Sequence, residues 1–296
     1  MPLHSVALLL VLAALWGSSF VFMRVAVPAM GPVPLTYARV ALAAIALLAL
    51  AFAQRRIPPF RTRWREFAVV GVVNSAIPFV LFCYAEQYIS ASTGAVLNAT
   101  SPFFAAIAAA IWLREPLTFN KIAGMLLGLA GVIVLVGWHP GAMSDDVLLA
   151  IAACLAAATC YALAGVYTKR ALAGVPTFAI ACASQVAAAL ALMPTLPFVS
   201  VPGPVTPLVL ANVAALALAS TALAYLIYFK LIAESGPQRA LMVTFLIPLF
   251  GVLWGCLFLD EALTASMLTG GALVVTGTAI TLRSPASDPR PAPPRR

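Results

Sequence analysis

Charged residues are scarce in this chain. Only 9% of its 296 residues are Asp, Glu, Lys or Arg, against roughly 25% in an ordinary globular domain, while 63% are hydrophobic. The mean hydropathy is +1.04. So little polar surface cannot cover a water-soluble particle, which excludes a soluble globular fold. The apolar runs are long enough for helices, so the composition predicts a helical integral membrane protein.

Motifs for catalysis, metals and nucleotides are also missing. The two histidines, His4 and His139, fall in a terminal and a loop position, and no HExxH motif occurs. None of the five cysteines forms a CxxC pair, and all lie in apolar runs as small packing residues. No segment resembles a nucleotide-binding loop. We therefore expect no metal, no cofactor and no ATP-driven step. An intramembrane enzyme with a serine nucleophile is kept as an alternative.

The apolar runs predict ten membrane-spanning helices of about 20 residues each. Their connections are short, and the proline-rich basic segment at 284–296 is expected to be a disordered tail. The predicted helices cover residues 6–27, 34–53, 67–87, 92–112, 119–137, 147–168, 176–195, 207–229, 239–259 and 266–283.

Basic residues are concentrated in alternate loops. Fifteen of the seventeen Lys and Arg residues fall in the loops after helices 2, 4, 6 and 8 and in the tail, which together we call the basic face. This asymmetry predicts that both termini are cytoplasmic, and it explains the net charge of +8 without nucleic-acid binding. The loops of the opposite side, the acidic face, contain no Lys or Arg, and their acids are Glu86, Asp145, Asp146, Asp260 and Glu261.

The chain contains an internal duplication. IWLREPLT at 111–118 and LFLDEALT at 257–264 both end an apolar run, and a shift of 146 residues aligns them. The same shift brings Pro102 onto Pro248 and keeps its register across three helices. A chance match could supply one such octamer, but not this extended register.

Each copy holds five predicted helices, so the second copy enters the membrane from the opposite side. Glu115 accordingly lies on the basic face and its counterpart Glu261 on the acidic face. Inverted repeats of this kind place a transporter's substrate near the membrane midplane, between the halves. The predicted fold is an all-α polytopic membrane protein with ten transmembrane helices in two inverted five-helix repeats, at 1–138 and 145–283.

The residues that carry a family resemblance lie in both halves. LAALWGSSFVFMRVAV, TYARVALAA and the duplicated REPLT and DEALT resemble the drug/metabolite transporter superfamily. Within it the chain is similar to ten-helix EamA-type permeases over residues 5–283, and most of all to amino-acid exporters of the YddG type. The resemblance implies a transporter of the bacterial inner membrane. The small multidrug relatives carry a glutamate within their first helix, and this chain has no acid there. We therefore expect transport without a carboxylate proton relay.

Three predicted helices contain a proline that removes a hydrogen bond from a polar position four residues earlier. An unsatisfied carbonyl is costly in hydrocarbon, so these kinks are expected to face a polar cavity whose polar residues bind substrate. The alternative is that each polar side chain only satisfies its own kink or a neighbouring helix. The pairs are Pro78 with Asn74, Pro102 with Asn98, and Pro248 with Thr244.

Aromatic side chains near the middle of four helices are further candidates for the cavity wall. Tyr and Trp usually lie at the ends of transmembrane helices, so a central position favours cavity lining, with interhelical packing as the alternative. The repeat pairs them as Trp16 with Tyr161 and Phe79 with Tyr225.

Three polar residues within helices complete the candidates. Gln185, central in helix 7, is predicted either to line the cavity or to make an interhelical hydrogen bond. Arg39 is predicted to contact a substrate carboxylate or to clamp a gate. Arg24, nearer its helix end, is expected to extend to the lipid headgroups.

These features predict a carrier that works by alternating access. The expected cargo is a small neutral or zwitterionic metabolite, amino acids first, with another metabolite or drug as the alternative. A channel is the other alternative, and it would show no counterflow. The expected partners are the small-molecule substrate and the lipid bilayer, with the protein a monomer or a homodimer.

Overall fold

The computed structural model describes residues 3–136, 144–236 and 240–283, and within them the regular structure is helical, with no strand. Its helices, numbered along the chain, are α1 Leu3–Met30, α2 Pro32–Ala53, α3 Phe60–Ala85, α4 Ala91–Leu113, α5 Phe119–Val136, α6 Asp145–Ala171, α7 Thr177–Leu192, α8 Pro207–Ser235, α9 Val243–Leu259 and α10 Ala265–Arg283.

These helices confirm the predicted set of ten. Eight are long and apolar enough to cross a membrane, and Phe119–Leu135 and Val243–Leu259 are shorter apolar helices. The tail at 284–296 lies outside the described residues, as does His139.

The main boundary error concerns α3. We predicted a start at residue 67, but helical structure begins at Phe60 and includes Arg61 and Arg65, which we had placed in a loop, with a kink at Arg63, whose φ of −130° is not helical. Hydropathy detects only the part of a helix that lies in hydrocarbon. The first two turns of α3 are polar, and Trp64 among them is 60% exposed, so the helix extends beyond its apolar segment.

The main helix pairings are the same when the first five helices are exchanged with the last five. Helix α1 packs against α9, and its counterpart α6 packs against α4. In the same way α3 contacts α6 while α8 contacts α1, and α3 contacts α7 while α8 contacts α2. Three further contacts, α2–α7, α4–α9 and α5–α10, each join a helix to its own counterpart in the other half, so the exchange leaves them unchanged. The packing thus follows the duplication seen in the sequence.

The repeated motif forms the same turn twice. Arg114 directly follows helix α4 and Asp260 directly follows α9, each in the left-handed conformation, with φ of 56° and 53°. Such a residue commonly terminates a helix. The motif's last residue then starts the next helix: Thr264 Oγ1 accepts the Met267 N–H at 3.1 Å. The recurrence of this octamer therefore reflects one helix-ending and helix-starting turn in each half.

Helices α3 and α8 share a second feature, a wide π-helical segment in the middle of the membrane span. These segments are Val72–Ala76 and Ala215–Leu223. In α8 the side chain of Thr221 donates to the Leu216 carbonyl at 2.9 Å. Such widened turns often mark functional positions because they redirect side chains.

Glycines allow α5 and α10 to pack closely. A Cβ built at Gly131 would lie 2.7 Å from the carbonyl oxygen of Gly270, and one at Gly270 would lie 2.7 Å from that of Gly131. Gly124 and Gly277 meet in the same way. Small residues permit such contact between transmembrane helices.

Candidate substrate cavity

A cavity of about 500 Å³ lies inside the helix bundle. Its wall combines residues of α1, α2, α3, α4, α6, α7, α8 and α9. The structure brings eight of the nine predicted contact residues together on this wall: Trp16, Arg39, Asn74, Phe79, Asn98, Tyr161, Tyr225 and Thr244.

Gln185 is the ninth, and it does not belong to the described cavity wall. Its side chain is fully buried, and its Nε2 donates to Ser75 Oγ at 3.0 Å. Of the two roles left open for Gln185, the structure shows the interhelical hydrogen bond, which joins α7 to the π segment of α3.

Arg39 is the most unusual residue of the wall because it is a buried cation. It is 5% exposed, and its guanidinium lies 3.6 Å above the centre of the Phe79 ring. Its Nε donates to Thr221 Oγ1 at 3.0 Å, and Nη1 is 3.7 Å from Met23 Sδ. In the part of the chain that the structure describes, no carboxylate forms an ion pair with it.

The aromatic candidates form two groups on the wall. Tyr161 stacks on Phe82 with ring centres 6.2 Å apart. Tyr225 meets Trp16 edge to face at 6.4 Å, and its hydroxyl accepts from Asn74 Nδ2 at 3.5 Å. The wall is therefore aromatic with a few fixed polar groups, a composition typical of small-molecule sites.

The three prolines act differently from one another. Pro78 stands in the first turn after the π segment of α3, where the Ile77 N–H bonds five residues back to Val72. Pro102 starts the second half of α4, after a break at residues 99–100. Pro248 lies within the continuous α9. In α3 and α4 the proline therefore lies next to an irregular segment of the helix. A kink at Pro248 stays a prediction.

One of the carbonyls expected to be freed is satisfied locally, and one of the polar side chains forms a local hydrogen bond. The Asn98 carbonyl accepts from Ser101 Oγ at 2.7 Å, which leaves the side-chain amide as the group that Asn98 can offer a substrate. Thr244 Oγ1 donates to the Leu241 carbonyl at 2.8 Å. The local alternative that we kept for these residues therefore accounts for part of their bonding.

The two ends of the cavity differ. Toward the basic face its wall continues through Gly165 and Thr168 near the end of α6, and Thr177 at the start of α7. Toward the acidic face it ends at Phe20 and Phe82, which are 4% and 2% exposed and meet edge to face at 5.5 Å. The cavity thus extends toward the basic face and is closed toward the acidic one.

Glu261 joins the two halves of the chain at the acidic face. Its carboxylate accepts from the backbone N–H of Ala91 at 2.7 Å, from that of Ser92 at 3.0 Å, and from the Ser92 hydroxyl. These donors form the first turn of α4, where the helix dipole also favours a negative charge. The α9–α10 turn of the second half is in this way bonded to α4 of the first half.

Glu86 also lies at the acidic face, one residue beyond the end of α3, and our sequence reasoning missed it. The residue is at a helix end, as expected, yet it is completely buried. Neither carboxyl oxygen has a hydrogen-bond partner among the described residues. Burial raises the pKa of the Glu86 carboxyl well above its usual range. No local sequence signal distinguishes Glu86 from an exposed loop acid.

Arg24 corrects a further expectation. We predicted that it extends to the lipid headgroups, but it is half-buried and its Nη1 donates to the backbone carbonyl of Glu86. It therefore joins α1 to the end of α3 and helps to close the acidic face. The guanidinium holds the carbonyl of Glu86 and forms no hydrogen bond with its carboxyl group.

A bundle of ten apolar helices around a largely aromatic cavity that is closed at one end is an architecture that suits a membrane transporter. Comparison with known proteins agrees. The model of the EamA-like transporter family matches twice, over residues 4–137 and 148–283. The chain belongs to this family of the drug/metabolite transporter superfamily, and it is a transporter and not an enzyme.

Relatives match over most of their length. The chain is 28% identical to a "Probable terminal-alkyne amino-acid exporter" of Streptantibioticus cattleyicolor, with 88% of each chain covered. It is 28% identical to the S-adenosylmethionine/S-adenosylhomocysteine transporter of Chlamydia trachomatis, covering 90% of this chain and 85% of that one. A crystal structure with 22% identity superposes with a TM-score of 0.67 over 94% of this chain and 96% of the other, which supports the fold.

Proposed function

We propose that the protein exports small zwitterionic metabolites, amino acids first, by alternating access around this cavity. The observation that carries the proposal is Arg39, a buried guanidinium on the cavity wall without an acidic partner among the described residues. A buried charge is costly unless it is paired. A cargo carboxylate would supply the missing partner.

The surroundings of Arg39 favour a carboxylate of defined orientation. Phe79 supports one face of the guanidinium, and Thr221 engages only Nε. The terminal nitrogens have only a weak sulfur contact at 3.7 Å, so they are left for a two-point contact with a carboxylate. The planar geometry of arginine suits this contact better than a lysine would.

Polar groups on the same wall suit the amino end of such a cargo. The side-chain amides of Asn74 and Asn98 and the hydroxyl of Tyr225 offer oxygen atoms to an ammonium group. The described wall contains no acidic residue, which supports transport without a carboxylate proton relay through the cavity. Trp16, Phe79, Tyr161 and Tyr225 provide apolar surface for a neutral or aromatic side chain.

The relatives support this choice of cargo. One is named for an amino acid, and the other for S-adenosylmethionine and S-adenosylhomocysteine, which both carry an α-amino carboxylate group. Another small metabolite or drug is the alternative within the same superfamily.

The proposal includes an arrangement in the membrane. We place residues 1–138 and 145–283 as two inverted repeats in a bacterial inner membrane, as a monomer or homodimer, with both termini and the tail at 284–296 cytoplasmic. The double family match and the exchange-symmetric helix pairing support the duplication. The charge asymmetry supports the orientation. The cavity then opens to the cytoplasm, where an export cargo is loaded.

The test is counterflow of labelled amino acids in proteoliposomes of the purified protein. We expect saturable exchange, competition by amino acids, and no competition by the matching amino alcohols, which lack the carboxylate. Arg39→Gln should reduce exchange at least about tenfold, since a charged hydrogen bond contributes about 1.5–3 kcal/mol. Arg55→Gln, at an exposed loop position, is the matched control and should exchange normally. Equal competition by amino acids and by the matching amino alcohols would refute the role of Arg39 in binding a carboxylate. If no amino acid is exchanged at all, the proposal that amino acids are the cargo is refuted.

A further inference from the structure

Glu86 is a buried acid outside the cavity that the proposed transport does not use. Its side chain is 0% exposed, and both carboxyl oxygens lack a hydrogen-bond partner in the described parts of the chain. The carboxyl group lies over Gly94 in the first turns of α4, where a Cβ would collide with Oε1. The space that holds this carboxyl exists because residue 94 is glycine.

The groups around Glu86 come from four elements. Arg24 of α1 donates its hydrogen bond to the Glu86 carbonyl, and its positive charge partly offsets the effect of burial on the carboxyl, while Glu261 of the α9–α10 turn adds a second negative charge nearby. The remaining titratable neighbours are the thiols Cys83 of α3 and Cys154 of α6, both buried. None of these groups donates a hydrogen bond to the carboxyl oxygens.

An ionised carboxylate is unstable in such a place, because it has lost its water and gained no donor. The neutral acid is far less costly to bury. Opening the acidic face would bring water to the carboxyl and free Arg24 to pair with it, and both changes favour ionisation. The closed and open forms of this face must therefore bind a proton at Glu86 with different affinity.

We propose that Glu86 is a proton-binding site that controls the acidic face, which closes over the neutral acid and opens as the carboxyl ionises. The sign follows from linkage. The closed form binds the proton more tightly, so closure is favoured at low pH and is lost as pH rises through the pKa of the closed form. Higher pH at the acidic face thus favours opening.

The position of Glu86 indicates that proton binding there modulates the opening of the acidic face and does not drive transport. Glu86 is not among the described residues of the cavity wall, and Phe20 and Phe82 close the cavity at this end. The Phe20 ring also lies next to Gly94, 3.2 Å from a Cβ built there. A proton that enters and leaves Glu86 from the acidic face alone is not carried across the membrane.

The experiment measures opening directly and uses no cargo, so it is independent of the proposed substrate, although it rests on the alternating access of the proposed function. A reporter, Ala91→Cys, is placed at the first turn of α4, where residue 91 is fully buried, in a protein with its five native cysteines replaced by alanine. The rate of labelling with a membrane-impermeant maleimide is measured from about pH 5 to about pH 9. The same reporter with Glu86→Gln corrects for the reactivity of the thiol itself, since an amide cannot ionise.

The ratio of the two labelling rates is the readout. We expect it to be near one at low pH and to rise with pH, by at most about tenfold per unit because one proton is released. A ratio that stays flat, or faster labelling with Glu86→Gln than with Glu86 at every pH, would overturn the proposal. If Glu86→Gln does not fold, Glu86→Leu supplies the same comparison with an apolar side chain. Glu66→Gln, near the basic face, is the control and should match the parent.

A second measurement separates modulation from coupling. In proteoliposomes a pH gradient should change the rate of exchange but should not drive accumulation of cargo. Accumulation that is driven by the gradient and lost with Glu86→Gln would refute the modulating role, because it requires Glu86 to release its proton to both sides.

Discussion

The two copies of the repeated turn, one at each face, make different contacts. On the acidic face Glu261 accepts three hydrogen bonds from the first turn of α4. On the basic face Glu115 pairs with Lys169 at 3.1 Å and Lys121 at 3.8 Å, and its side chain is 32% exposed. Ion pairs between partly exposed side chains contribute about 0–1 kcal/mol, whereas hydrogen bonds to a charged group contribute about 1.5–3 kcal/mol each. Among the described residues, the same sequence motif thus accepts hydrogen bonds from a helix N-terminus at the closed face and forms partly exposed ion pairs at the face toward which the cavity extends.

Among the substitutions that test this difference between the two faces, Glu261→Gln is expected to have the largest effect. The amide keeps the size of the side chain but loses the charge that the α4 N-terminus stabilises. Labelling of the reporter Ala91→Cys at neutral pH should rise about ten- to hundredfold, as expected for one or two charged hydrogen bonds. Unchanged labelling would show that Glu261 does not hold this face closed.

Gly94→Ala should have an intermediate effect. Its Cβ would displace the Glu86 carboxyl and press on the Phe20 ring, and overpacking of this kind costs about 1–3 kcal/mol. We expect faster labelling of the reporter and a weaker dependence on pH. The matched control is Gly271→Ala, where the nearest contact is an ordinary 3.7 Å to Val96 Cγ2. A pH profile identical to that of the parent would contradict the role of the space over Gly94.

Glu115→Gln should have the smallest effect. It removes the ion pairs with Lys169 and Lys121, which are partly exposed and screened by salt. The exchange rate should change by less than about fivefold, which corresponds to roughly 1 kcal/mol, and the difference should shrink as salt is added. A change in the exchange rate of about tenfold or more would contradict the weak contact of Glu115, since it exceeds what partly exposed ion pairs contribute.

The fold was predictable because its signals are local. Hydropathy identified all ten helices, and the repeated octamer indicated the duplication. The errors lie where a helix leaves the hydrocarbon, as at Phe60, because polar residues also form helices. Eight of nine candidate contact residues share one cavity, since mid-helix polar and aromatic residues in apolar surroundings need a polar neighbour.

The sequence by itself determined that this protein is a helical membrane protein of ten helices, because hydrophobicity and helix length are set residue by residue. Only the tertiary structure decided the state of three polar side chains. Gln185 bonds to Ser75, Arg39 is buried without an acid among the described residues, and Glu86 is sealed at a closed face. The surroundings of such residues come from helices distant in the chain, so the packing of the two halves sets their charge and exposure.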